Sequence, residues 1–343
     1  MQEIDLNYVH AARDSLKLSL PTGLASFEIS TYGGFARLIT QAGQRSCTTH
    51  CSTQVVSSLS PDVPTFMAYF EEAGKRIAWG TSPTEVETIA AIAKWLQGSS
   101  LDVLHTCFEF VDREKRNLLE IQRSVSKELS SLGDSVQIEI KEFNIWSALW
   151  FHGQSRAVVV NGSSAEACFS WDQCILFKCE VSDHRVLAAL IQSWLCDNAA
   201  PSAMRVLFPW LEIGKLADDY ENGNAVDGEF FQTWNEIEQF IRNEKMQFPQ
   251  RIAVLQFIAE FRRAGYDKLF RAGFYGQSLI FSRSRRHGLR ADQQSIQYWF
   301  KFPEGTMLAV IDIIGMKRST QIPIAFSGQV EQDAQRLANL PID

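Results

Sequence analysis

The sequence predicts an α+β protein of tandem modules, each an antiparallel sheet with helices packed on one face. Three observations predict it. A helix-like stretch ending in Trp95-Leu96 has a counterpart ending in Trp194-Leu195, 99 residues further on. Each follows a strand-like run, Arg76-Ile77-Ala78-Trp79 in the first case and Ile175-Leu176-Phe177-Lys178 in the second. Upstream of each lies a helical stretch and then a series of short alternating runs.

The first module spans 1–112 and opens with a helix over roughly 5–17. Its closing helix is announced by Ser82-Pro83-Thr84-Glu85: Ser82 as N-cap, Pro83 at the first helical position, Glu85 three residues after the cap. Val86, Ile89, Ala90, Ala93 and Leu96 then recur at helical spacing, and Gly98 stops the run. Leu101 to His105 begins a second short helix leading into Phe108 and Phe110, with His105 at its core edge.

The second module, 113–215, repeats this plan. A helix over 113–132 precedes strands at 136–140, 148–151, 157–160, 167–171 and 175–178, with turns at Asn161-Gly162 and Trp171-Asp172. Its closing helix covers 186–195 and shares four of fifteen positions with the first. After one inserted residue, Phe208 and Trp210 stand where Phe108 and Phe110 stood.

The remainder, 216–343, reads as an acidic linker and a divergent C-terminal α+β module. Helices are predicted at 230–243 and 251–263, strands at 277–282, 297–302 and 307–314, and a last helix at 329–338. It fits either a third copy with one extra helix or a separate domain.

Composition sets the class. Of 343 residues 45% are apolar and 21% charged, near the globular average, which argues against wholesale disorder. The start, Met1-Gln2-Glu3-Ile4-Asp5, is acidic where a secretion signal is basic, and the apolar run Met307 to Met316 is too short to span a bilayer and carries Asp312. Seven scattered cysteines, an odd number, suit free thiols in a reducing cytosol rather than a disulfide framework. A cytoplasmic protein with no membrane partner is expected. Residues 245–343 carry 14 Lys/Arg against 8 Asp/Glu, whereas the first 244 carry 19 against 32, so an acidic body faces a basic end.

Two stretches resemble an uncharacterised, mostly actinobacterial family of unknown function. One is Ile77-Ala78-Trp79-Gly80-Thr81-Ser82 leading through Glu85-Val86 to Trp95, with Leu101, Leu104 and His105 following. The other runs from Leu269-Phe270 to Tyr275-Gly276-Gln277-Ser278-Leu279-Ile280-Phe281-Ser282-Arg283. The family prefers a proline after that phenylalanine and a Ser-His pair before the strand, where Arg271 and Tyr275-Gly276 stand here. The resemblance covers about a quarter of the chain and implies packing motifs, with no catalytic residue carried over. By style, motif-free acidic α/β chains with internal duplication resemble bacterial toxin-immunity proteins.

Catalytic and metal signatures are missing from the sequence. There is no Gly-x-Ser-x-Gly elbow, no phosphate-binding glycine loop and no His-Glu-x-x-His. Cys47-Thr48-Thr49-His50-Cys51 offers three ligand types but no second pair at zinc-site spacing. Cys174 and Cys179 are expected on opposite sides of a hairpin strand, so they share no metal. No cofactor or metal is expected.

Two charged stretches remain as candidate surfaces. Arg283, Arg285, Arg286 and Arg290 form a basic turn that could meet phosphates, with Tyr298 and Trp299 stacking on bases, or could pair with the chain's own acidic half. The overall charge favours the second reading. The segment Glu212 to Glu238 holds eight carboxylates against Lys215 alone, with aromatics interleaved. It is expected to be the partner-binding surface, through Glu212, Asp218, Asp219, Tyr220, Glu221, Asp227, Glu229 and Trp234, around a flexible Asn222 to Gly228. The expected function is non-enzymatic: a cytosolic immunity protein that covers the active site of a basic toxin domain. Alternatives are an enzyme or accessory factor of secondary metabolism, and a nucleic-acid contact through the C-terminal arginines.

Overall fold

Alternation of buried and exposed side chains, as in the strand Thr306–Ile313, folds most of the strand-forming chain into three five-stranded antiparallel meanders. The computed structural model describes residues 3–32, 35–52, 65–129, 136–143, 146–164, 166–243, 251–285, 293–301, 305–313 and 315–342. The first module runs α1 (Glu3–Ser19), β1 (Ser26–Tyr32), β2 (Phe35–Ala42), β3 (Arg45–Ser52), β4 (Thr65–Glu72), β5 (Lys75–Ser82), α2 (Glu85–Leu96) and α3 (Leu101–Cys107). The second runs α4 (Arg113–Glu128), β6 (Gln137–Glu142), β7 (Ser147–His152), β8 (Arg156–Asn161), β9 (Glu166–Trp171), β10 (Cys174–Glu180), α5 (His184–Ile191) and α6 (Pro201–Leu207). Then follow α7 (Lys215–Glu221), α8 (Ala225–Arg242), α9 (Arg251–Arg263), β11 (Arg271–Tyr275), β12 (Ser278–Ser282), β13 (Ser295–Lys301), β14 (Thr306–Ile313), β15 (Met316–Pro323) and α10 (Gly328–Ala338). The third sheet has the same neighbour-to-neighbour strand order as the other two. It is preceded by α7, α8 and α9, where each of the other sheets follows a single helix of its module.

The first two modules share a packing unit beyond the tryptophans that the sequence aligned. Trp95 meets Phe70 of β4 edge-on, with ring centroids 6.3 Å apart, and Trp194 meets Phe169 of β9 in the same way at 6.3 Å. Arg45, first in β3, lies over the Trp95 ring at 4.0 Å, and Arg156, first in β8, lies over Trp194 at 4.1 Å. Each guanidinium also donates to the carbonyl of its own tryptophan, at 3.0 and 3.1 Å. The extra residue of the second copy falls where a π-helical turn, Gln192–Cys196, ends α5. Such a turn absorbs one residue without moving the helix that precedes it. Trp194 therefore keeps its place on the sheet.

Some boundaries differ from expectation. The helix after β5 starts at Glu85 with Thr84 as N-cap, not at Pro83 behind Ser82. Ser82 ends the strand, and its hydroxyl donates to Glu87 at 2.7 Å, so the reciprocal acid is Glu87, not Glu85. The C-terminal stop holds: Gly98, at φ +96°, donates to the Trp95 carbonyl and Ser99 to that of Lys94, a Schellman ending. The segment expected to be a flexible linker is instead a tight helix–helix turn, in which Gly223 at φ +79° reverses the chain between α7 and α8. Strands β11 and β15 were not predicted. The end of the predicted 113–132 helix lies outside the described residues.

By internal contacts the chain divides into two units, 1–169 with 178–198, and 170–177 with 199–343. The apolar core of the first joins α1 and α2 to the first sheet, around Leu38, Cys47, Phe70, Ile92 and Trp95. The second gathers Trp234, Phe257, Phe261, Phe281, Tyr298 and Leu337 between α8, α9, α10 and the third sheet. Among the described residues no helix is long and apolar enough to cross a membrane.

The Trp79-Gly80 motif of the family resemblance has a packing explanation. The Trp79 amide donates to the Asp112 carboxylate at 3.0 Å, the Asp112 amide returns a bond to the Trp79 carbonyl at 2.7 Å, and Gly80 bridges Val111. His105 holds the other carboxylate oxygen at 3.1 Å. A Cβ on Gly80 would sit 2.2 Å from the Phe110 carbonyl oxygen. Gly80→Ala is therefore expected to destabilise the protein by about 2–3 kcal/mol in urea denaturation. Gly214→Ala, where a Cβ meets nothing within 4 Å, should stay within about 0.5 kcal/mol of wild type.

Candidate functional site

The acidic segment is expected to face a partner, but much of it holds its own helices together. Glu221 accepts from the Ser202 amide at 2.8 Å and hydroxyl at 2.5 Å, tying the end of α7 to the start of α6. Asp218 pairs with Arg205 of α6 at 2.6 Å, and that guanidinium also donates to the Ile213 carbonyl. Asp219 packs against Gly228, where an added Cβ would lie 2.7 Å from it. Glu238 is shared between Arg242 and Arg262 at 2.6 and 2.8 Å.

Three of the expected partner residues are buried, which corrects their assignment. Trp234 is 0% exposed; its indole stacks on Phe281 at 4.9 Å and donates to the Phe270 carbonyl at 2.9 Å. Tyr220 and Glu229 are 5% and 4% exposed and bond to each other, the hydroxyl donating to the carboxylate. Neither can anchor an incoming chain. Their common partner is Arg285, whose guanidinium reaches Glu229 at 3.0 Å, the Tyr220 hydroxyl at 3.3 Å and Asp172 at 3.4 Å. Asp172 sits in the β9–β10 turn, where it and Gln173 both have positive φ. Burial raises the Tyr220 pKa above its ordinary value, and its bond to Glu229 adds to the rise. Burial alone lowers that of Arg285, but Tyr220 and Glu229 outweigh it and hold the guanidinium charged.

The two described arginines of the basic turn are engaged within the protein. Arg285 is spent on the acidic cluster, and Arg283 donates to the Leu269 carbonyl at 3.2 Å. Arg286 and Arg290 lie outside the described residues. Tyr298, expected to stack on bases, is 0% exposed in the core, whereas Trp299 beside it is 40% exposed. Alternation along β13 puts the two rings on opposite faces.

An exposed apolar face on α6 and the turn after it is what remains. Val206, Leu207 and Trp210 are 79%, 58% and 51% exposed. The exposed carboxylates Glu212 and Asp227 lie on the same chain segment, and exposed Glu221 is bonded to the start of α6. The repeat supplies an internal comparison. In the first module the aromatic pair after the short helix, Phe108 and Phe110, is 7% and 4% exposed, with rings edge-on at 6.3 Å. In the second, Phe208 and Trp210 keep the edge-on contact at 6.4 Å, yet Trp210 stands in solvent. In the first module Gly80 lets the Phe110 backbone close onto β5; the aligned residue in β10 is Cys179. The sequence aligned Trp210 with Phe110 but could not show this difference in burial.

The remaining chemistry is sparse. Cys47 and Cys51 lie on the buried face of β3 and His50 on the other, so the three do not converge. Burial pushes the Cys47 thiol pKa well up, and holds those of Cys168 and Cys179 at about 11, all as inert thiols. Among the described residues no group of three His, Cys, Asp or Glu side chains is placed to hold a metal. A polar hollow of about 530 Å³ in the first unit is lined by Ser124, Lys127, Glu128, Ser182, Asp183, His184 and Arg185. Asp183 is occupied there in capping α5 through the Arg185 amide at 2.8 Å. Comparison with protein families, curated proteins and solved structures finds no match for this chain.

The buried Tyr220–Glu229–Arg285 cluster is expected to be structural. Arg285→Ala leaves the Glu229 carboxylate in the interior without its counter-charge and should cost about 3 kcal/mol in denaturant titration. The double variant Glu229→Gln, Arg285→Met should recover most of that loss.

Proposed function

We propose that the chain is a non-enzymatic binding protein whose α6–α7 face receives a basic partner protein. The observation that carries this reading is the exposure of Val206, Leu207 and Trp210, at a place where the first module buries its counterpart of Trp210. An apolar centre with an aromatic anchor and charged surroundings is the usual anatomy of a protein interface. Glu212 next to Trp210 and Asp227 at the start of α8, without an ion pair among the described residues, favour a cationic partner, and long-range attraction speeds such an encounter. In its sharpest form the chain is a cytosolic immunity protein that covers the positively charged groove of a nucleic-acid-modifying toxin. The missing catalytic motifs and the acidic first 244 residues support that form.

The test compares surface variants that spare the internal bonds. Asp218, Asp219 and Glu221 are unsuitable for charge reversal because they hold α6, α7 and α8 together. Trp210→Ala should leave the melting temperature unchanged and weaken capture of a stoichiometric basic partner from the native host by at least about tenfold. Glu212→Lys with Asp227→Lys should slow association and flatten its dependence on salt. A partner held equally by wild type and Trp210→Ala would sink the proposal.

A further inference from the structure

The first sheet ends on β1, and pairing decides which of that strand's backbone groups face outward. In an antiparallel sheet the residues of an inner strand alternate between bonding one neighbour and the other. The β2–β3 hairpin closes at Ala42 and Arg45 across the turn Gly43-Gln44, which commits Ala42, Thr40 and Leu38 to β3. The residues between and beyond them, Gln41, Ile39 and Arg37, therefore bond Ser26, Glu28 and Ser30 of β1. That leaves the amides and carbonyls of Phe27, Ile29 and Thr31 pointing away from the sheet. Among the described residues none of these groups has a hydrogen-bond partner.

Three of the other edges carry a guard. At the far side of the first sheet, β5 is bridged at Gly80 by Val111. On the third sheet the Ala272 amide of β11 is taken by Thr233, and β15 carries Lys317 and Arg318. Covering elements and cationic side chains are the usual means of keeping an edge from pairing. By contrast β1, Ser-Phe-Glu-Ile-Ser-Thr-Tyr, has neither proline nor lysine, and its aromatic and β-branched residues favour an added strand. Its one charge is Glu28, exposed and without an ion pair among the described residues.

The strand that β1 fits is its own copy. Laid antiparallel on itself in full overlap, Ser26–Tyr32 places Ile29 on a two-fold axis, opposite Ile29 of the second copy. Phe27 then faces Thr31, and each such pair of outward residues exchanges both of its backbone bonds. Glu28 falls opposite Ser30 of the second copy. Behind Ser30 stands its cross-strand neighbour Arg37, whose guanidinium Nε already lies on the Ser30 hydroxyl at 2.8 Å. One strand spacing, about 4.8 Å, separates that serine from the incoming Glu28. The uncompensated acid thus meets a cation, and the two-fold axis makes the same match a second time. A slide to the next bonded register sets Glu28 against Glu28 in one direction and carries it away from Arg37 in the other. Charge therefore selects the full overlap.

We infer that the chain self-associates through β1, two copies joining their first sheets edge to edge with Glu28 of each facing Arg37 of the other. The two five-stranded sheets become one continuous sheet. A contact of one strand per copy lies at the low end of stable interface sizes, so the dimer dissociates on dilution. The inference does not rest on the α6–α7 reading and uses none of its residues.

The experiment is sedimentation velocity of the full chain from about 1 to about 300 µM. A reversible monomer–dimer equilibrium is expected for the wild type. Thr31→Pro, at an exposed position whose amide faces outward, should weaken dimerisation at least about tenfold while the melting temperature stays unchanged. Glu28→Arg and Arg37→Glu should each be monomeric alone, because like charges then meet at both junctions. Mixed together they should form a heterodimer, with opposite charges at both junctions. That recovery separates a lost interface from a lost fold. A wild type that stays monomeric at the highest concentration, a dimer indifferent to Thr31→Pro, or single variants that fail to associate on mixing would overturn the inference.

Discussion

The arginine clamped to a tryptophan at the end of the closing helix is the interaction on which the modular architecture rests. A helix that ends over a sheet leaves carbonyls without donors, and a tryptophan at that end needs a partner for its indole N–H. In the first module both needs are met at once. Arg45 donates to the carbonyls of Trp95 and Ser99 at 3.0 and 2.6 Å, and the Trp95 indole donates to the Ser46 carbonyl at 3.1 Å. The helix end, the middle strand of the sheet and the aromatic core beneath are thereby joined in one contact. The second module repeats it with Arg156, which is only 6% exposed and carries its charge into the interior over the ring of Trp194. Burial lowers the pKa of that guanidinium, so the carbonyl and the ring together stabilise a charge that the site otherwise disfavours.

The third module solves the same problem from the opposite side. Its core tryptophan, Trp234, comes from the helix that precedes the sheet and is satisfied by the Phe270 carbonyl. The next residue on the clamp side is Thr233, whose hydroxyl accepts from the Ala272 amide of edge strand β11 at 3.1 Å. An edge amide that invites pairing with another chain is thereby occupied by a helix. The closing helix α10 carries no tryptophan. Instead, Asp333, 1% exposed, holds Arg318 of β15. An ion pair in place of a ring contact leaves the helix and sheet connected, with a different residue in every role. That is why the third sheet has the strand order of the first two but no matching sequence.

Legibility in the sequence followed the length scale of the interaction. Periodicity alone located every strand of the second module and both long helices of the third module, because burial of one face leaves a trace at every second or third residue. The inserted residue between Trp194 and Phe208 was visible, but its form, a π turn, depends on keeping Trp194 against Phe169. Strand β15 escaped because its sequence, Met-Lys-Arg-Ser-Thr-Gln-Ile-Pro, is largely exposed at the sheet edge and carries little alternation. The turn at Asn222-Gly223 looked like a linker by composition, since glycine and asparagine serve flexible chains and tight reversals equally well.

Charge was the least legible property, for a physical reason. Composition gives the number of acids and bases but not the distance between them, and electrostatic energy depends on that distance. The carboxylate-rich stretch 212–238 and the arginine turn after β12 read as two independent surfaces, each awaiting a partner of opposite sign. The fold brings Arg285 to Glu229 and Asp172, across 56 and 113 residues of chain. The pair that looked most available to outsiders is consumed within the protein. What folding leaves unpaired is better evidence of recognition than what the sequence concentrates. By that criterion the meaningful residues are the uncommitted ones, Trp210 above all, exposed where its counterpart in the first module is buried.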